Sequence, residues 1–176
     1  TVVFGYFALL FVTPLLQKVI PGLSLFNPLS AGLVMGFAIL PYVSNVAADA
    51  MQSVPRSIRE AAYALGARPS GVALKVVLPA ALSGMIAAII LAASRAIGET
   101  MIVAIAAGQR PTLTLDPRET IATMTSYIVQ AATGDQPTGS TAYYALFAVG
   151  FTLFLLTLAL NVLAQYIVER YRERYE

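Results

Sequence analysis

Few residues in this 176-residue sequence are equipped for chemistry, and one pair stands out: Arg95 and Glu99, four apart in an otherwise apolar stretch. On a helix that spacing puts both on one face, about 40° apart and within reach of a direct ion pair. A guanidinium presents bidentate donors that match an oxyanion, and a neighbouring carboxylate would position it and keep an empty site from trapping anion too tightly. Thr100, Ser94 and the backbone near Gly98 could add contacts. The competing reading is an architectural pair that only locks two helices together. An enzyme is poorly supplied: with no His and no Cys the chain lacks the commonest general base and metal ligand and any thiolate. Glu99 is also the only acid in the middle of an apolar run, so no convergent catalytic set is available. Asp49 and Glu119 read as solvated or helix-terminal, and Asn161 and Gln165 as interhelical hydrogen-bonders.

The elements that must position the pair are membrane helices. Hydrophobic residues make up 58% of the chain and charged residues 11%, against about 25% charged in an ordinary soluble domain. The expected fold is all-α, a single polytopic transmembrane domain, with spans at about 1–19, 28–50, 79–107 and 142–168. Pro14 and Pro41 are tolerable as kinks inside the first two, and Gly32 and Gly36 form a GxxxG spacing suited to close helix packing. Between the last two spans, residues 108–140 hold Pro111, Pro117, Gly134, Pro137 and Gly139 around a weakly amphipathic stretch, 119–132, that suits a short or re-entrant helix. Tyr143 and Tyr144 at one end of the last span and Tyr166 at the other match interfacial aromatic anchors. Thr1 opens inside an apolar run with no charged n-region or cleavage site, so a preceding N-terminal segment is expected. The net charge of +2, with cations in short clusters, makes nucleic acid an unsuitable partner.

Projected at 100° per residue, Gly84, Ala88, Ala92, Arg95, Glu99 and Ala106 fall within about an 80° arc of the third span, with Ile86, Ile90, Ile97 and Met101 opposite. A charge at the bilayer centre costs roughly 2.5–3.5 kcal/mol, so the charged, small-residue face is expected to look inward, toward partner helices or a pathway. Arg56, Arg59, Arg68, Lys75, Arg170, Arg172 and Arg174 lie in one set of alternate loops, and Lys18, Arg110 and Arg118 in the other. That asymmetry predicts a cytoplasmic 51–78 loop and C-terminus.

Within the 51–78 loop and just beyond it, SIREAAYALGARPSGVALKVVLPA predicts a helix over 58–65, a stop at Gly66, a break at Arg68 and Pro69, and a second short helix capped by Ser70. Ala61 and Ala62 thin one side of the first helix, while Arg59, Glu60 and Tyr63 offer charge and contact area to a partner's groove. An ordinary connecting helix is the plainer alternative. No phosphate-binding P-loop is present: the nearest match, Gly66 to Gly71, is followed by Val72 and Ala73 rather than Lys and Ser or Thr.

Glu60, Ala61, Ala62, Gly66, Val76, Leu78 and Pro79 reproduce the pattern of the EAA loop, and the segment resembles that of the binding-protein-dependent ABC-importer permeases. SRAIGETMIVAIAAG, PYVSNVAADAMQSVPRSIREAAYALGA and the tail ALNVLAQYIVERYRERYE further resemble the phosphate-importer permeases of that family, over essentially the whole chain. The resemblance implies the type I ABC-importer permease fold, here expected to lack an N-terminal portion with at least one span and an external loop. It implies a coupling helix carrying Arg59, Glu60, Ala61, Ala62, Tyr63 and Gly66, seated in a cleft of an ATPase. It links Arg95 and Glu99 to transport. Implied partners are a second, paralogous permease, an ATPase dimer that holds the ATP and Mg, an external phosphate-binding protein and the lipid bilayer of a prokaryotic cell membrane. No cofactor is expected on this chain. A permease for sulfate or molybdate is the nearest alternative, since a guanidinium is not specific to phosphate. An ion-coupled carrier using Glu99 as a proton site is a further one, distinguished by whether uptake depends on an ATPase and on Glu60.

Overall fold

The computed structural model describes residues 1–134 and 137–171 and, among these, is helical with no strand. In chain order the helices are α1 (Val2–Gln17), α2 (Pro28–Gln52), α3 (Arg56–Ala64), α4 (Pro69–Ala80), α5 (Leu82–Ile97), α6 (Met101–Ala106), α7 (Met124–Thr133) and α8 (Thr141–Tyr171). By length and apolar content α2 and the Thr141–Ile167 part of α8 can each cross a membrane. Helices α4 and α5 qualify together as a third, bent by 67° where they meet, and α1 is a shorter apolar helix.

The third apolar run is therefore not the single helix expected over 79–107. It is broken first at Ala81, whose φ of −88° and ψ of 0° leave the helical region. The second break spans residues 98–100, where Gly98 weakens the helix and the Glu99 side chain competes for the next amides. Both α1 and α4 contain a wide five-residue turn, Ala8–Val12 and Ala73–Val77, and each is followed one residue later by proline, Pro14 and Pro79. A proline ring clashes with the carbonyl four residues back, and widening the preceding turn relieves that crowding without ending the helix.

The chain forms two compact units. In the first, Thr1–Ile39 with Arg95–Leu158, the core is built of small side chains, Ala8, Ala31, Val34, Val103, Ala106 and Ala107, with Val12, Met35 and Ile121 packed against it. Small residues let backbones come close: a Cβ added at Gly5 would stand 3.0 Å from the Ile105 Cβ and 3.3 Å from the Met101 carbonyl. Buried beside this core, the Thr13 hydroxyl lies 2.8 Å from the Ser30 hydroxyl and 3.0 Å from the Ala8 carbonyl. Asn27 Oδ1 accepts from the Ser30 amide at 2.8 Å, which caps the start of α2 ahead of Pro28. At one end of this unit the turn before α2 is tied to the end of α6 and the segment after it. Asn27 N donates to Ala106 O, Ser24 N to Arg118 O, and the Thr120 hydroxyl to Phe26 O. Gly108, at φ +92° and closely approached by Thr120 and Phe26, makes that junction possible.

In the second unit, Leu40–Ser94 with Ala159–Glu176, Val54, Val72, Val77 and Ala81 form the core, and Ile58 and Ala62 of α3 pack on it. Here α2 and α5 nearly touch, since a Cβ on Gly84 would lie 2.6 Å from the Ala50 Cβ. Ala88 and Ala92, one and two turns on, are buried. The small residues of that α5 face are thus covered, while Arg95 on the same face is exposed. The GxxxG pair is not covered: nothing lies within 4 Å of a Cβ at Gly32 or Gly36.

Candidate functional site

Two places carry the residues singled out by sequence, one in each unit. In the first, α5 presents Arg95, which is exposed, on its last turn. The break that follows takes Glu99 out of the helical register that would have stacked it one turn above Arg95. Glu99 instead turns its carboxylate forward, where Oε1 accepts from the amides of Met101 at 3.2 Å and Ile102 at 3.4 Å. A carboxylate there satisfies two otherwise orphaned donors at the start of α6 and meets the positive end of its dipole. The Thr100 hydroxyl bonds back to the Gly98 carbonyl at 3.3 Å, and the Glu99 carbonyl accepts from the Thr125 hydroxyl at 3.0 Å.

Thr125 was not among the residues singled out, and neither was the helix start it belongs to. Thr123 caps α7 by accepting from the Ser126 amide, and the Ser126 hydroxyl accepts from the Thr123 amide in return. The expected amphipathic stretch from 119 therefore becomes helical only at Met124. Its signal was present as Thr-Met-Thr-Ser, a capping box with Ser in place of the usual Glu or Gln. Thr125 and Ser126 are buried, and the Thr125 hydroxyl closes on the break after Arg95 through the Glu99 carbonyl. Ser94 bonds Asn161 of α8 at 3.1 Å, the interhelical role expected of Asn161.

In the second unit, α3 stands out as a knob with no buried residue of its own. Ala62 and Ile58 face the core, while Glu60, Ala61 and Tyr63 are exposed. Leu65, immediately past the helix, is 89% exposed, a large apolar side chain left open on an otherwise polar turn. Gly66 ends the helix at φ +79°: its amide returns to Tyr63 O, and the Ala67 amide to Ala62 O. This is a Schellman closure, and it requires the left-handed conformation that glycine adopts freely. Arg59 faces inward, where its guanidinium donates to Met51 O near the end of α2. It fixes the knob to its own chain. The second short helix starts after Arg68 with Pro69 in its first turn and no side-chain cap, so Ser70 does not cap it.

Outside the helices, Arg118 holds Asp116 through Nε and Nη2, at 3.0 and 2.9 Å, and its backbone amide donates to the same carboxylate. These bonds keep the Asp116 carboxyl below, and the Arg118 guanidinium above, their ordinary ranges. Among the described residues no cluster of acidic side chains could hold a metal ion.

Apolar helices long enough to cross a membrane, with one polar helix left exposed beside them, fit an integral membrane protein. Residues 1–173 match the family of binding-protein-dependent transport system inner membrane components, and the chain belongs to that family. It is 31% identical over 170 residues to the probable ABC transporter permease protein YqgH of Bacillus subtilis, covering 97% of this chain and 55% of that one. To the phosphate transport system permease protein PstC of Xylella fastidiosa it is 34% identical over 145 residues, covering 81% and 43%. To PstC of Haemophilus influenzae it is 28% identical over 195 residues, covering 98% and 60%. The chain thus spans about half the length of the curated relatives it matches. No solved structure matches it.

Proposed function

We propose that this chain is a PstC-like permease subunit of an ATP-driven phosphate importer. In this reading Arg95 meets the phosphate, Thr100 and the backbone of 98–100 line its route, and Glu99 shapes that route by pinning the start of α6. The knob, through Glu60, Ala61, Ala62, Tyr63 and Gly66, engages a PstB-like ATPase dimer, and Arg59 braces it from behind. A PstA-like permease completes the pathway, and a PstS-like external protein delivers substrate. The 51–78 loop and the C-terminus face the cytoplasm; of the tail cations behind that orientation, Arg172 and Arg174 lie outside the described residues.

The observation that carries the reading is the broken helix directly after Arg95. Non-helical backbone at membrane depth is tolerated where it is buried in protein or lines a water-filled cavity. An arginine beside such a break has the water access that a charge in a span requires. Phosphate is favoured over other oxyanions because two of the three relatives named above bear that substrate in their names. Substituting Arg95→Gln is expected to abolish labelled-phosphate uptake in cells or proteoliposomes, with subunit copurification and ATP hydrolysis retained. Undiminished uptake would overturn the assignment of Arg95, and sulfate or molybdate uptake in the unsubstituted protein that exceeds phosphate uptake would overturn the substrate.

A further inference from the structure

We infer that the first unit holds a binding site for an anionic phospholipid, in the pocket between α1 and the segment that follows α6. The pocket has a volume of about 730 Å³, within the roughly 300–1,000 Å³ of small-molecule sites. Its wall is hydrocarbon from Leu9, Phe26, Ala104 and Ile105, and Arg110 contributes a guanidinium to the lining.

Among the described residues no acid compensates that guanidinium. The acids of the same loop, Asp116 and Glu119, both act on Arg118, and among the described residues Arg110 has no acidic partner. The backbone beside it is fixed, because Thr112 donates its amide to Arg110 O at 2.9 Å and its hydroxyl to Thr120 O at 2.8 Å. The Thr114 hydroxyl is likewise engaged, accepting from the Asp116 amide. Leu113 and Leu115 are left fully exposed, at 108% and 103%. Two leucines held out in water are unfavourable, and the same two at a lipid boundary lose nothing. An apolar pocket, a cation with no acidic partner among the described residues and an apolar fringe in the same segment match one kind of ligand, a hydrocarbon chain carrying a phosphate. Inorganic phosphate would use the cation and gain nothing from the wall.

The test is lipid retention by the protein reconstituted in nanodiscs of phosphatidylcholine with phosphatidylglycerol, then released and weighed by native mass spectrometry. One phosphatidylglycerol per chain should be kept in preference to phosphatidylcholine. Substitution Arg110→Gln should lower that retention about tenfold, the scale of one charge-assisted contact, while Arg110→Lys keeps most of it. Ala104→Phe, or Leu9→Trp if that variant fails to fold, fills the pocket and should lower retention with Arg110 intact. Equal retention of the two lipids, or full retention in Arg110→Gln, overturns the inference. So does an Arg110 effect that free inorganic phosphate competes away and that filling the pocket leaves unchanged, since that is an oxyanion site only.

Discussion

Glu99 shows how a single glycine redirects a functional reading. Its four-residue spacing from Arg95 invites an ion pair, and that inference needs an unbroken helix. Gly98, followed by an acid and a threonine, is also a stop and a restart, because an acid just ahead of a new helix start captures free amides. The second pattern prevails, and the carboxylate lies on Met101 and Ile102. Replacing Glu99 with Ala should therefore cost about 1 kcal/mol of stability, the scale of a lost cap, and Gln should cost less because its carbonyl still accepts. Thermal unfolding in detergent reads the difference, and equal losses would refute the capping role. Asp116 gives a residue-scale test outside the helices. Its carboxyl is depressed, so the contribution of its bonds to Arg118 is fully present above the ordinary carboxylate value of 3.8 and is lost as pH falls through its lower folded value. A carboxyl NMR titration should find its midpoint below 3.8 and return it to the ordinary range in Arg118→Gln.

At the scale of elements, the glycines divide by what faces them. Gly84 admits Ala50 of the neighbouring helix, whereas Gly32 and Gly36 face open space. A Gly84→Ala change should destabilise the protein by about 1–3 kcal/mol, as overpacking does, while Gly32→Ala should leave unfolding of the single chain unchanged. Differential scanning calorimetry of both separates packing from motif, and equal effects would contradict the crossing. Sequence made the length and apolar character of α2 and α8 legible, because long uninterrupted runs leave little choice. The EAA knob was legible for another reason: Gly66 and Pro69 are local punctuation that tertiary packing did not overrule. The inward turn of Arg59 was hidden, since it depends on where the end of α2 stands. The start of α7 was missed because its cap uses Ser126, a weaker signal than a glutamate.

For the whole molecule, the outer face of the knob contributes little to the fold that carries it. Glu60 and Tyr63 lie on an exposed face with no core contact, and surface changes of that kind usually stay within about 0.5 kcal/mol. Glu60→Ala and Tyr63→Ala should thus melt like the unsubstituted protein yet reduce ATP-dependent uptake several-fold. Loss of uptake through unfolding, seen as a lowered melting temperature, would assign both residues to stability instead. The family match spans both units, so the division into two compact bodies lies within a single family domain.

The two wide turns that precede Pro14 and Pro79 bear on how such a chain changes length. A wide turn holds one residue more than the regular pitch needs, and each residue along a helix advances its faces by about 100°. Deleting one residue elsewhere in α1 or α4 would swing everything beyond it out of alignment. Within Ala8–Val12 or Ala73–Val77 the same deletion removes a surplus, so these are the places where insertions and deletions can be absorbed with the buried stripe still facing its core.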